Sequence, residues 1–125
     1  MLEKILLYVD DSESVKVLVD WTLKLARQLN IRIFAVFIIN RPHSRQPKDL
    51  NQEETAWAVL YEIEDSAFEE NVKISLILEE GRPEDKLMEI LTSFELDGMI
   101  IRSQAKLDFK ELISRMPPGK VLIIK

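Results

Sequence analysis

The chain contains no cysteine. Disulfides, thiolate metal sites and cysteine nucleophiles are therefore excluded. Histidine occurs once, at His43, which excludes histidine-clustered metal sites. Glycine is nearly as scarce: Gly81, Gly98 and Gly119 are the only three in 125 residues. That scarcity bears on chemistry, because loops that cradle phosphate with backbone N–H groups usually need glycine for the close approach. The longest apolar run, Ile33 to Ile39, has seven residues, against the ~20 needed to cross a bilayer as a helix. A strong basic cluster is also missing. With 17 Lys and Arg against 22 Asp and Glu, the net charge of −5 argues against nucleic acid as a partner. Met1-Leu2-Glu3-Lys4 leads straight into an apolar run with no leader pattern. The expectation is a cytoplasmic protein without membrane association.

What is present is a soluble globular composition, 46% hydrophobic and 31% charged, long enough for one domain over residues 1–125. Fourteen glutamates and ten lysines, with no cysteine, give a weak thermophile-like bias. Ile5 to Val9 is a continuous apolar run ending at Asp10-Asp11, and it reads as a strand buried on both faces of a parallel sheet. Ser12 is the expected N-cap of a first helix, whose apolar positions are Val15, Leu18, Val19, Thr22, Leu25, Ala26 and Leu29, with Asn30 as its stop. Ile31 to Ile39 is a second buried strand. Arg41 to Leu50, with Pro42 and Pro47, reads as a long exposed connection. Asn51 and Glu54 form an N-cap and N3 pair for a second helix, which places Ala56, Leu60, Ile63 and Ala67 on one face beside Trp57 and Phe68.

Val72, Ile74, Leu76 and Leu78 alternate with a more polar set, as in an edge strand. Gly81 marks a turn and Pro83 suits the first position of a third helix, carried by Leu87, Ile90, Leu91 and Phe94. Gly98 to Ile101 is a short fourth strand. Phe109, Leu112, Ile113 and Met116 mark a last short helix, broken by Pro117-Pro118-Gly119, and Val121 to Ile124 is a fifth strand. This βαβαβαβαβ order predicts an α/β fold with a single doubly wound parallel sheet and right-handed crossovers.

Such sheets bind ligands at the carboxyl edge, where the strand order reverses. Two groups of residues fall there. Asp10 and Asp11 end the first strand, and they read either as a metal-binding pair or as acids that cap the first helix and face solvent. Arg102, Lys106, Lys110 and Arg115 follow the fourth strand, and they read either as a side-chain anion site or as a solvated face interleaved with Asp108 and Glu111. Ser103 and Gln104 add donors to that loop. His43 has no acid or nucleophile in sequence reach and reads as solvated. Trp21 and Trp57 read as packing residues at the margins of their helices. The fifth strand is wholly apolar, so either it is central or another chain covers it. The second option predicts a homodimer through Val121, Leu122, Ile123 and Ile124.

Val9-Asp10-Asp11-Ser12 has some likeness to a receiver domain, but the third strand ends in Leu78-Glu79-Glu80-Gly81, without the acceptor aspartate that phosphorelay requires. A wider pattern resembles the universal stress proteins. Ile5 to Ser12 followed by the first helix, Glu80-Gly81-Arg82-Pro83, Ile90, and Asp97-Gly98-Met99-Ile100-Ile101 occur in that family's order and spacing. The resemblance implies an adenine nucleotide α hydrolase-like sheet in the order 3-2-1-4-5, with dimers formed through strand 5. It also implies a nucleotide pocket at Val9, Asp10, Ile38, Ile101, Arg102 and Ser103. Asp10 matches the nucleoside contact and Ile38 the base contact. The family's phosphate loop would place glycines at Arg102, Ala105 and Arg115 and a Ser or Thr at Met116, and all four are departures. Tyr8 also stands where the family often has a small residue or proline. The chain therefore resembles the branch without the glycine-rich ATP motif. The expected function is a non-enzymatic, homodimeric stress-response protein with ATP binding weakened or lost, no metal, and protein contacts as its output. A divergent ATP- or AMP-binding protein is the alternative, with weak ATPase activity as a further option, and a receiver-like module is the third.

Overall fold

A computed structural model of the protein describes residues 2–40 and 50–125. His43, Pro42, Pro47 and the connection expected from Arg41 lie outside these residues, apart from Leu50, which opens a helix. The elements alternate as the sequence pattern predicts: β1 (Lys4–Val9), α1 (Val15–Leu29), β2 (Arg32–Ile39), α2 (Leu50–Glu69), β3 (Ile74–Glu80), α3 (Pro83–Ser93), β4 (Gly98–Ile101), α4 (Phe109–Arg115) and β5 (Val121–Ile124). All strand pairs are parallel, in the order β3-β2-β1-β4-β5. Register sets Ile5 beside both Ile33 and Gly98, and Leu7 beside Ala35 and Ile100.

The unbroken apolar runs of the central strands follow from burial on both faces. Ile5, Leu7 and Val9 point with Ile33, Ala35 and Phe37 into a core closed by α1 and α2. Leu6, Tyr8, Val36, Ile38, Met99 and Ile101 point into the opposite core, closed by α3 and α4. β3 forms one edge and is only half-buried, in keeping with its polar second face. β5 forms the other edge.

Two residues of the β4 entry hold the sheet centre together. Asp97 Oδ2 accepts the backbone N–H groups of Glu3 (2.7 Å) and Lys4 (2.9 Å). Those two bonds hold its carboxyl below the ordinary carboxylate range. Gly98 lets β5 approach, because a Cβ there would lie 2.3 Å from the Val121 carbonyl oxygen.

Several local expectations are corrected. Ser12 does not cap α1: the helix begins at Val15 with Ser14 before it, and no side chain caps its N-terminus. The expected acid cap is likewise not made. Asn51 is not an N-cap, because α2 already begins at Leu50. Leu29 is 55% exposed and Phe68 85% exposed, so the helical spacing runs past the buried stripe in both cases. Asn30 does stop α1, in the left-handed conformation at φ 56°, and Pro83 does open α3. Trp21 and Trp57 are partly buried against the α1–α2 core; Trp21 carries the Lys125 ammonium 4.5 Å from its ring centroid, and Trp57 stacks on Tyr61.

Candidate functional site

The strand order reverses between β1 and β4, and the loops leaving their carboxyl ends meet there. Asp10 follows β1 directly. Its Oδ1 accepts the backbone N–H of Ser12 at 2.9 Å and the Ser12 hydroxyl at 2.5 Å. This local bond takes Ser12 away from the helix and explains the failed cap. Asp10 Oδ2 accepts from Arg102 Nη2 at 2.9 Å, across the switch point and 92 residues away in sequence. Both side chains are largely withdrawn from solvent, Arg102 to 14% and Asp10 to 28% exposure. Burial pushes the Asp10 pKa upward, but the bonds from Ser12 and Arg102 outweigh it and hold the carboxyl below its ordinary value. Arg102 Nε is buried without an acceptor among the described residues.

The remaining predicted residues divide. Ile38 lines a cleft of about 310 Å³ with Asp10, Asp11, Asn40 and Thr55 at the ends of β1 and β2. Val9 is buried in the α1–α2 core, and Ile101 in the α3–α4 core. Neither lines that cleft, nor do Arg102 and Ser103. Ser103 Oγ instead donates to the Lys125 carbonyl at 3.1 Å. Asp11 is exposed and does not converge with Asp10 on any third acid; no group of three metal-ligating side chains occurs among the described residues.

The loop from Arg102 to Asp108 is folded on itself. Ala105 N–H donates to the Arg102 carbonyl (3.0 Å) and Leu107 N–H to the Ala105 carbonyl (2.9 Å). Ala105 packs into the core beneath. Asp108 N–H donates to Glu84 Oε2 at 2.8 Å, and the Asp108 side chain caps α4 at Glu111 N–H. Arg115 bonds Asp85 and Glu111, both at 2.8 Å, and Arg82 bonds Glu111 as well. The hydrogen bonds from Arg82 and then Arg115 lower the Glu111 pKa to about 2. Beneath the loop, burial and then the nearby Asp10 and Glu84 carboxylates raise the Tyr8 phenol to about 12. Of the four cations expected near β4, two are thus engaged with internal acids: Arg102 with Asp10, and Arg115 with Asp85 and Glu111.

Sequence reasoning missed Glu84, Asp85 and Thr55. The acids lie in the first turn of α3, where helix-start acids are commonplace and carry no signal of their own. Thr55 could be found only by knowing that α2 begins beside β2.

The family model described as the universal stress protein family matches residues 1–116. No curated protein matches the sequence. Among solved structures, a universal stress protein family member from Burkholderia pseudomallei superposes with a TM-score of 0.81 at 15% identity, covering 98% of this chain and 95% of that one. A universal stress protein from Archaeoglobus fulgidus in complex with dAMP gives 0.75 at 17% identity, with 98% and 96% covered. A family protein from Arabidopsis thaliana with AMP bound gives 0.75 at 13% identity, with 98% and 92% covered.

Proposed function

The chain belongs to the universal stress protein family, and from that premise we propose that it is a non-enzymatic member with ATP binding weakened or lost, acting as a homodimer through protein contacts. The observation that carries this reading is the 2.9 Å bond between Arg102 and Asp10. Arg102 stands where the family's phosphate loop has its first glycine. Asp10 stands where members contact the nucleoside. The two positions that would hold opposite parts of a nucleotide here hold each other. A triphosphate would have to displace a carboxylate already in charge-assisted contact with the guanidinium. Arg115, at the third glycine position, is engaged in the same way by Asp85 and Glu111. The residues present do not fit a triphosphate.

Dimerisation is supported by β5, a wholly apolar strand at the edge of the sheet whose free side needs a cover. Equilibrium dialysis with labelled ATP tests the central point. No saturable micromolar binding is expected, and micromolar affinity would overturn the reading.

A second reading, a divergent adenine-nucleotide binder, is favoured by one observation: Asp10 and Ile38 line a common cleft of about 310 Å³ among the described residues. The AMP and dAMP complexes of two similar proteins are consistent with it. The readings separate on Arg102. Under the first, Arg102→Gly gains nucleotide affinity. Under the second, the native protein releases nucleotide on denaturation and Arg102→Glu loses affinity.

A further inference from the structure

On the helical face opposite α3 and α4, a groove of about 330 Å³ runs between α1 and α2, from the turn after β1 down to Glu70. Its floor is apolar, made by Val15, Val19, Val59 and Ile63. Its rim carries Asp11, Glu62 and Glu69, three exposed carboxylates that make no ion pair among the described residues, and one cation, Lys16, which pairs with Glu13. The charge is not a local accident. Helix α2 carries six carboxylates over Leu50–Glu69 and no Lys, Arg or His, so this one helix outweighs the net −5 of the whole chain. On the same helix, Tyr61 and Phe68 stand 54% and 85% exposed.

An apolar floor under a predominantly acidic rim fits a side chain that is itself aliphatic along its stem and cationic at its tip, as lysine and arginine are. We propose that the α1–α2 groove docks a basic, amphipathic segment of a partner protein, its Lys or Arg stems on the Val59–Ile63 floor and their charges on Asp11, Glu62 and Glu69. A second copy of this chain is a poor occupant, because it would bring the same uncompensated carboxylates against these. No residue of β5 lines the groove. The proposal rests on the reading that the protein works through protein contacts, and it is independent of whether the switch point is closed. ATP dialysis reports on the Arg102 loop, and peptide binding reports on α1 and α2.

The test titrates the full protein with a synthetic Lys/Leu peptide patterned as an amphipathic helix, followed by calorimetry and by the fluorescence of Trp57. A peptide of equal charge with glycine and serine in place of leucine serves as the comparison. The amphipathic peptide is expected to bind saturably and more tightly than the comparison peptide, with affinity falling as salt rises. The double variant Glu62→Lys/Glu69→Lys, both positions exposed, is expected to bind roughly tenfold more weakly. Glu89→Lys, on α3, is expected to bind as the native protein does, and Glu62→Gln/Glu69→Gln to fall between. Equal binding of both peptides, or equal loss in the Glu89 and Glu62/Glu69 variants, would mean diffuse charge attraction and overturn the proposal. So would no binding of the amphipathic peptide by the native protein.

Discussion

Replacing Arg102 with alanine isolates the contact on which the reading of the switch point depends. A hydrogen bond to a charged group contributes about 1.5–3 kcal/mol. The pair is not fully enclosed, with Asp10 28% exposed, so the lower end of that range applies. Two features of the structure reduce the loss further. Asp10 keeps its bonds to the Ser12 N–H and hydroxyl, so its carboxylate is not orphaned. Removing the guanidinium also removes the buried Nε that has no acceptor. The expected net cost of Arg102→Ala is about 1 kcal/mol, or roughly 3–5 °C in Tm for a chain of this length. The pH dependence then separates charge from packing. The folded-state pKa of Asp10 is depressed, so its contribution is fully present above the unfolded value near 3.8 and is lost as pH falls through the lower folded value. Urea unfolding of native and Arg102→Ala protein from neutral to acid pH is therefore expected to show a gap that closes at the acid end. A gap that persists undiminished in acid would mean that Arg102 acts through its aliphatic stem. No gap at neutral pH would mean that the ion pair is energetically idle, and the case for a self-closed site would fail.

Other expected outcomes follow from the same contacts. Gly98→Ala forces a Cβ against the Val121 carbonyl and is expected to cost about 1–3 kcal/mol in urea unfolding; if β5 also forms the dimer, light scattering should show that variant shifting toward monomer. Asp97→Ala removes the acceptor for the Glu3 and Lys4 amides and is expected to cost about 1 kcal/mol after allowance for solvent, whereas Asp97→Asn, which keeps an acceptor oxygen, should cost less; equal losses would deny the amide bonds their role. In a Tyr61→Phe background, a phenolate absorbance titration is expected to place Tyr8 near 12, and a midpoint in the ordinary tyrosine range would contradict its burial beside Asp10 and Glu84. Incubation with a small phosphodonor and magnesium should leave Asp10 and Asp11 unmodified by mass spectrometry, since strand 3 offers no acceptor and Asp10 is already bonded; an acid-labile adduct would revive the receiver-like alternative.

The order of elements was legible because the central strands are buried on both faces, and burial writes itself as uninterrupted runs such as Ile5–Val9 and Ile33–Ile39. Asn30 and Pro83 were legible because a left-handed stop and a first-turn proline are local conformational preferences. Ser12 misled for the complementary reason. The N-cap rule sees only neighbours along the chain, while the position is governed by Asp10, whose other oxygen faces Arg102 from 92 residues away. Leu29 and Phe68 kept helical spacing beyond the point where a core exists to receive them. The absence of glycines from the strand-4 loop was visible in the sequence, but what replaced them was not. That Arg102 turns inward to Asp10, while Arg115 turns toward Asp85 and Glu111, depends on tertiary placement of acids that look ordinary in one dimension.

The central position of β1 has a bearing on how the chain reaches this structure. β1 is made before the other strands of the sheet, and its partner β2 follows within about thirty residues. Its other flank is filled only by Gly98–Ile100 of β4, and the Asp97 carboxylate reaches back to Glu3 and Lys4. During synthesis, the β1–β2–β3 half must therefore wait with one apolar edge uncovered until β4 has been made. Closure of the sheet is a long-range event with a correspondingly large loop to order. Folding of this protein is expected to be limited by the docking of the α3–β4 segment, and to be most exposed to aggregation in the interval before that docking.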